Sequence, residues 1–157
     1  LTNIPSNSAL VIKKLVLPDT IKRAVKEQNW DLLDKEFAKL VRPNALFFNE
    51  LKHFYPDISE VEFIISLRSA HNAYEEDGIW HDDGSRVFAF SLGLNLETTK
   101  IKGGKLLIRK KGEKTFIELA PPEYGECYFF KTGIWGYEHK VCQVTQGDRL
   151  IIAGWCT

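Results

Sequence analysis

The first third of the chain repeats apolar residues with the period of an α-helix. After "LPDT", Ile21, Ala24 and Val25 fall on one helical face, and Asp19 or Thr20 is placed to cap the start. The segments "NWDLLDKEFAKLV" and "NALFFNELKHFYPD" repeat this spacing. Their apolar positions are Trp30, Leu33, Phe37 and Leu40 in the first segment and Phe47, Leu51 and Phe54 in the second. The pattern predicts three helices whose apolar sides pack on a sheet.

From Val61 onward the pattern changes to short segments rich in β-branched and aromatic residues, separated by Gly, Pro and Asp. Seven such segments follow one another: "VEFIISLR", "RVFAFSLGL", "GKLLIRK", "KTFIELA", "GECYFFK", "EHKVCQV" and "DRLIIAGW". This spacing favours a sandwich, a barrel or a jelly roll with helices against one side. We expect a single domain over residues 1–157, with helical support from 1–60 and a mainly β core from 61–157.

Charge and composition exclude few classes of protein. The 157 residues carry 21 basic and 21 acidic side chains, so the net charge is zero at pH 7. Such a chain has no long-range attraction to polyanions, and neither nucleic acid nor a membrane is expected as a partner. Basic residues cluster around Gly112 without interleaved aromatic residues, and we interpret them as the solvated tip of a hairpin. They are Lys102, Lys105, Arg109, Lys110, Lys111 and Lys114.

The cysteines indicate a reducing compartment. Cys127, Cys142 and Cys156 are odd in number, and all three lie in apolar segments that resemble strands. This favours buried, reduced thiols over a disulfide framework. We therefore expect a cytoplasmic protein.

The stretch "GIWHDDGSR" concentrates metal-ligand chemistry at one point. Side chains at i and i+2 share a face of an extended strand, so, if this segment is extended, His81 and Asp83 point the same way and Asp82 points the other way. An imidazole and a carboxylate on one face can supply two of the protein ligands of a metal ion. The alternative interpretation is a capped polar turn before Gly84.

A third ligand has to come from elsewhere in the chain, which has four histidines. His53 is predicted on a helix surface and His71 at the end of a strand. His139 begins a late strand, where a half-buried structural histidine is the common alternative. Two histidines and one carboxylate with open positions suit non-haem Fe(II) and dioxygen chemistry.

Arg149 lies ten residues after His139, in "GDRLIIAGW". Alternation places Arg149 on the same face as Ile151, Ala153 and Trp155, which look core-facing. An arginine aimed inward needs an anion, and its planar fork matches a carboxylate. The partner is either an internal Asp or Glu or a dicarboxylic acid ligand.

From about residue 61 to 155 the chain resembles the Fe(II)- and 2-oxoglutarate-dependent dioxygenases, in particular the prolyl 4-hydroxylase-like branch. The pieces that carry the resemblance are, in order, "WHDDG", "RVFAFSLGLN", "GGKLLI", "PPEYGECYFF" and "EHKVCQVTQGDRLIIAGW". The resemblance implies a double-stranded β-helix of the jelly-roll type, buttressed by about three helices. It also implies that His81, Asp83 and His139 hold Fe(II), and that Arg149 binds the distal carboxylate of 2-oxoglutarate.

The chain departs from its relatives at two tyrosine positions of the co-substrate pocket. The tyrosine that relatives carry on the strand after His-x-Asp corresponds to Leu92 here. A second one, before the first ligand, corresponds to His71 or Asn72, and the nearest tyrosine is Tyr74. Tyr74 is therefore a further candidate for binding 2-oxoglutarate.

Candidate substrate-binding residues flank the expected metal site: Trp80, Arg86 and Trp135, for which packing at the rim is the alternative. Residues 72–80 form a candidate substrate loop. Its acids Glu75, Glu76 and Asp77 are candidates for contact with a basic peptide, and the favoured alternative is a solvated loop.

The resemblance implies hydroxylation of a C–H bond, with succinate and CO2 as co-products and ascorbate as a candidate additional cofactor. The substrate class is a peptidyl proline or another protein side chain. Three alternatives stay open. One is a hydroxylase of free amino acids or other small molecules, and another is a non-catalytic jelly-roll module that binds metal. The third, a zinc hydrolase, lacks both an HExxH helix and an obvious general-base Glu beside the triad.

Overall fold

The computed structural model describes residues 8–72, 74 and 77–157. Its helices are α1 (Asp19–Lys26), α2 (Trp30–Leu40) and α3 (Leu46–Phe54), with a short 3-10 turn at Gly133–Trp135. Its strands are β1 (Leu10–Lys14), β2 (Val61–Ser69), β3 (Phe88–Gly93), β4 (Lys102–Gly103), β5 (Leu106–Lys110), β6 (Ile117–Leu119), β7 (Glu126–Lys131), β8 (Tyr137–Val141), β9 (Val144–Gln146) and β10 (Asp148–Cys156). None of the described helices is long and apolar enough to cross a membrane.

Antiparallel sheets dominate the structure. The larger sheet has five strands in the order β1-β7-β3-β10-β2, and a smaller sheet has the order β6-β5-β8. A two-stranded ribbon pairs β4 with β9. Apolar side chains from β3, β5 and β7 meet between the two larger sheets, whereas the helices cover the other face of the five-stranded sheet. The predicted mainly β jelly-roll class with three supporting helices is confirmed.

β3 is the middle strand of the large sheet, and all six of its residues are buried. Phe88, Phe90 and Leu92 point toward the helices. Ala89 and Ser91 point to the opposite side and line the cavity described below. A strand covered on both faces is expected to read as a nearly continuous apolar segment, which is what "FAFSLG" shows.

Aromatic rings join the helices to the sheet. The ring of Phe47 lies 4.7 Å from that of Phe90, and the ring of Phe37 lies 4.9 Å from that of Phe63. These contacts confirm the predicted apolar helix faces. The predicted cap of the first helix is wrong, because Pro18 occupies the N-cap position of α1 and no side chain caps it.

One strand lies in the region predicted as helical support only. β1 pairs along its length with β7 at the edge of the large sheet, from Leu10 opposite Phe130 to Lys14 opposite Glu126. The expectation for residues 1–60 is corrected accordingly. The conformation of a five-residue edge strand depends on pairing with a strand that is distant in sequence. Its own alternation of apolar and polar residues is too short to predict it.

Candidate active site

Two histidines far apart in sequence are held side by side by their own backbones. The N–H of His81 donates to the carbonyl of His139, and the N–H of His139 donates to the carbonyl of His81, each at 2.9 Å. This isolated bridge next to β8 brings the two ring centroids to 4.2 Å. The convergence is therefore built by the sheet and does not depend on a ligand.

Asp83 completes the group from a tight turn. The Oδ1 and Oδ2 atoms of Asp83 lie 3.7 Å from Nε2 of His81 and 3.3 Å from Nε2 of His139. One ligand atom from each of the three residues lies within 4.8 Å of the others. The expected extended conformation is wrong, because Asp83 has a φ of 59°. The turn nevertheless aims the carboxylate at the imidazoles.

The side chain of Asp82 bonds outside this group and anchors the turn. Its side chain accepts from the N–H of Gly84 at 3.1 Å and from Nζ of Lys111 at 2.9 Å. Its carbonyl accepts from the buried hydroxyl of Thr132 at 2.7 Å. The backbone between the first two candidate ligands is thus tied to β7 and to the β5–β6 hairpin.

The electrostatics of the group suit a cation. Burial raises the pKa of Asp83, against the opposing effects of His81 and of a hydrogen bond from Trp155. Burial also lowers the pKa of His139 to about 3, with a further contribution from His81, so this imidazole is neutral near pH 7. Within the described part of the chain, Oδ2 of Asp83 has no hydrogen-bond partner. A buried carboxylate beside the neutral imidazole of His139 fits a divalent metal ion.

The tautomer of His81 also suits a metal. Its Nδ1 lies 3.1 Å from the carbonyl of Ile79, an acceptor, so Nδ1 carries the proton and Nε2 presents its lone pair toward Asp83. The side chain of His81 is 39% exposed, whereas those of Asp83 and His139 are each 7% exposed. The site is therefore open to solvent on the His81 side.

A cavity of about 80 Å³ connects the histidines to Arg149. One water needs roughly 10–15 Å³ on this measure, so the cavity has room for several waters or a small organic acid. His81, His139 and Trp155 line it together with Arg149.

Arg149 is fully buried, and its three guanidinium nitrogens have no hydrogen-bond partner among the described residues. Burial lowers the pKa of Arg149 to about 10, with a further effect of Arg68, so the group is still cationic at neutral pH. Of the two partners that the sequence left open, the structure shows no internal acid paired with Arg149 in the described chain. A buried, unpaired cation that lines a cavity fits an anionic ligand.

The model of the 2OG-Fe(II) oxygenase superfamily matches residues 69–157, which is more than half of the chain. The chain belongs to this superfamily. It is a 2-oxoglutarate-dependent dioxygenase, and the family implies Fe(II) and 2-oxoglutarate as its metal and co-substrate. The group formed by His81, Asp83 and His139 fits that iron. No curated protein matches the chain.

Solved structures of prolyl hydroxylases share the fold of this oxygenase. The prolyl-4-hydroxylase of Pseudomonas putida is 17% identical with a TM-score of 0.61, over 96% of this chain and 86% of that one. A prolyl 4-hydroxylase from Phytophthora capsici is 15% identical with a TM-score of 0.55, over 94% and 46% of the two chains. The viral collagen prolyl hydroxylase of Paramecium Bursaria Chlorella virus-1 is 15% identical with a TM-score of 0.51, over 99% and 93%. At these identities the likeness concerns the fold.

The structure corrects the expected tyrosine positions of the oxygenase. Leu92 faces the helices, so it is not part of the cavity; its neighbour Ser91 is the residue of β3 that lines the cavity there. Tyr74 is not among the described residues that line the cavity. Its hydroxyl donates to the carbonyl of Leu67 at 2.8 Å, and its ring lies 5.5 Å from the guanidinium of Arg68. Tyr74 therefore braces β2.

None of the three candidate substrate residues is among the described residues that line the cavity. Trp80 packs against Arg109, whose guanidinium is 3.9 Å from the ring centroid. Arg86 pairs with Glu62 at 2.8 Å and lies 5.1 Å from the ring of Trp155. Trp135 is 44% exposed. In the candidate loop 72–80, residues 73, 75 and 76, including both glutamates, lie outside the described residues.

Sequence reasoning missed Arg68, which lines the same cavity from β2. A signal was present, because Ile64, Ser66 and Arg68 form one face of β2 and line the cavity, whereas Phe63 and Ile65 pack against the helical core. Two polar residues on the inward face of a strand are typical of a site.

Proposed function

We propose that this oxygenase hydroxylates a C–H bond of a peptidyl proline or another protein side chain, converting 2-oxoglutarate to succinate and CO2. One observation carries the proposal: a single cavity is lined by His81 and His139 of the candidate iron triad and by Arg149, which is buried and has no hydrogen-bond partner among the described residues. The prolyl hydroxylases among the structures with this fold support a proline substrate.

His81, Asp83 and His139 would hold Fe(II), which when bound supplies the oxidative decarboxylation of the 2-oxo acid and the oxygenation of substrate. Two neutral imidazoles and one carboxylate leave a net charge of +1 with a divalent ion. That charge attracts the anionic 2-oxo acid end of the co-substrate. Three protein ligands would leave positions on the ion for the co-substrate and for dioxygen.

Arg149 would bind the other end of the co-substrate. Its planar guanidinium donates two parallel hydrogen bonds to a carboxylate, and the buried position strengthens this contact relative to water. Held at both ends, the co-substrate has a fixed orientation. Because His81 is the exposed ligand, the protein substrate is expected to approach from that side.

The first test measures succinate from 2-oxoglutarate with Fe(II) and air, with and without ascorbate, in the wild type and in His81→Ala, Asp83→Ala and His139→Ala. We expect each variant to lose at least about 100-fold in rate, since each removes one of three metal ligands. Proline-containing peptides and free proline, analysed by mass spectrometry for an added oxygen atom, separate a protein substrate from a small molecule.

His53→Ala is the matched control, because His53 is an exposed histidine on α3 and lies outside the site. It should keep the wild-type rate. Succinate formation that survives in any of the three triad variants at the level of His53→Ala would show that the metal assignment is wrong.

The cellular location stays a prediction. Cys127, Cys142 and Cys156 are free thiols in the structure. Free thiols are typical of proteins in reducing compartments. We therefore propose the cytoplasm, which fractionation of the producing cells would test.

A further inference from the structure

Two arginines face each other across the large sheet. Arg149 of β10 is the direct register partner of Arg68 of β2, and both line the cavity. Directly opposed residues of an antiparallel pair have Cβ atoms roughly 4.5–5.5 Å apart, and like charges in these positions are destabilising. The mutual effect is visible in Arg149, whose pKa is lowered by Arg68 after the larger effect of burial. An anion between or beside the two groups would relieve this repulsion.

Arg68 is held in place from the loop that leads to His81. Its guanidinium pairs with Asp77, and the ring of Tyr74 lies 5.5 Å from it. Only 13% of the Arg68 side chain is exposed. Asp77 offsets one of the two positive charges.

The two arginines lie at the end of the cavity remote from the candidate metal ligands. Trp155, which hydrogen-bonds to Asp83, is six residues further along β10 than Arg149, and both residues line the cavity. A ligand group that contacts both arginines is therefore at the opposite end of the ligand from the group that binds the metal. The neighbouring cavity residue on β3, Ser91, is small and uncharged.

We propose that Arg68 is a second co-substrate-binding residue, which together with Arg149 binds the distal carboxylate and favours a dicarboxylic over a monocarboxylic 2-oxo acid. The proposal rests on the proposed function, because it assumes that 2-oxoglutarate occupies this cavity. Arg68 adds a second positive charge at the distal carboxylate, and Asp77 and Tyr74 fix its direction.

The test is calorimetric titration of the Mn(II)-loaded protein with 2-oxoglutarate and with 2-oxopentanoate, which has the same chain length but no distal carboxylate. Arg68→Met should weaken 2-oxoglutarate binding by about 10-fold or more, the usual size for a hydrogen bond to a charged group. Binding of 2-oxopentanoate should change less than about twofold. Arg68→Lys should fall between wild type and Arg68→Met, because lysine keeps the charge but lacks the planar fork.

Arg42→Met is the matched control, since Arg42 is an exposed arginine between α2 and α3. It should bind both acids as the wild type does. The proposal is overturned if Arg68→Met binds 2-oxoglutarate like Arg42→Met, or if it weakens both acids equally. If Arg68→Met does not fold, an unchanged preference for 2-oxoglutarate in Arg68→Lys overturns it.

The proposed function fails in a different way. If the wild type and Arg149→Met bind 2-oxoglutarate and 2-oxopentanoate equally well, the cavity does not recognise a distal carboxylate at all. A wild type that prefers 2-oxoglutarate, together with an Arg68→Met variant that keeps this preference in full, contradicts only the role of Arg68.

Discussion

The side chain of Arg149 packs against Gly104, where the absence of a Cβ atom leaves room for it. A Cβ atom at this position would lie 2.9 Å from Cδ of Arg149 and 3.1 Å from Cγ2 of Val144, and the φ of Gly104 is 65°. Gly104→Ala should displace Arg149 and weaken 2-oxoglutarate binding by about 10-fold, a loss similar to that of one charged hydrogen bond. Titration of the Mn(II)-loaded variant with 2-oxoglutarate measures the effect, and Mn(II) affinity should stay unchanged.

Gly112→Ala separates backbone strain from this contact. Gly112 has a similar φ of 81°, but a Cβ there meets nothing within 4 Å. Both variants carry the cost of an alanine at positive φ. Equal 2-oxoglutarate affinities for Gly104→Ala and Gly112→Ala would show that the position of Arg149 does not depend on the glycine.

The role of a single residue can be predicted from the sequence where its chemistry is unusual for its surroundings. It cannot be predicted where the direction of its side chain depends on the register of a strand. Arg149 was identified because a cation among core-facing residues is unusual, and it is indeed buried. His81 and Asp83 converge with His139 although the conformation assumed between them was wrong. Leu92, the expected counterpart of the relatives' tyrosine, faces the helices and not the cavity, because successive residues of a strand point to opposite faces.

At the scale of elements, the turn with the candidate ligands depends on its link to β7. The hydroxyl of Thr132, which is fully buried just after β7, donates to the carbonyl of Asp82. Thr132→Val keeps the shape and removes this donor, so Asp83 is held less firmly. We expect Mn(II) affinity to fall by about 10-fold, as for other residues that orient metal ligands, while the melting temperature measures any loss of fold.

Two further variants test whether the loss of Mn(II) affinity comes from the Thr132 hydroxyl. Thr132→Ser keeps the hydroxyl and should retain most of the affinity. Lys111→Met breaks the other tie to Asp82, but the Lys111 side chain is 63% exposed, and such ion pairs contribute little. A larger loss in Lys111→Met than in Thr132→Val would show that the hairpin, and not β7, positions the turn.

A helix or strand can be predicted from the sequence when its own pattern of apolar and turn residues determines its conformation. All seven strands expected after Val61 are present, because their alternation and turn residues are local signals. β1, β4 and β9 were missed; they have five, two and three residues, and their conformation depends on pairing with distant segments. The placement of Arg68 opposite Arg149 also depends on such pairing: alternation along β2 puts Arg68 on one face with Ser66, but only the pairing of β2 with β10 brings it next to Arg149.

At the scale of the whole molecule, the metal site is linked to folding stability. Burial raises the pKa of Asp83 above its usual 3.8, so in the metal-free protein its ionisation costs stability as the pH rises through the folded-state pKa. A divalent cation that replaces the proton removes this cost. His139 has the opposite shift, from 6.5 to about 3, so the metal-free fold loses stability as the pH falls through that window.

We therefore expect Mn(II) to raise the melting temperature, and to raise it more at pH 7.5 than at pH 5.5, because protons compete with metal for the site. At a free concentration 100 times the Kd, the gain is about 2.7 kcal/mol. For a domain of this size that corresponds to a shift of roughly 5–10 °C. Scanning calorimetry with Mn(II) or with a chelator measures it, with His53→Ala behaving as the wild type and Asp83→Ala showing almost no shift. A shift in Asp83→Ala as large as in His53→Ala would place the stabilising ion elsewhere in the protein.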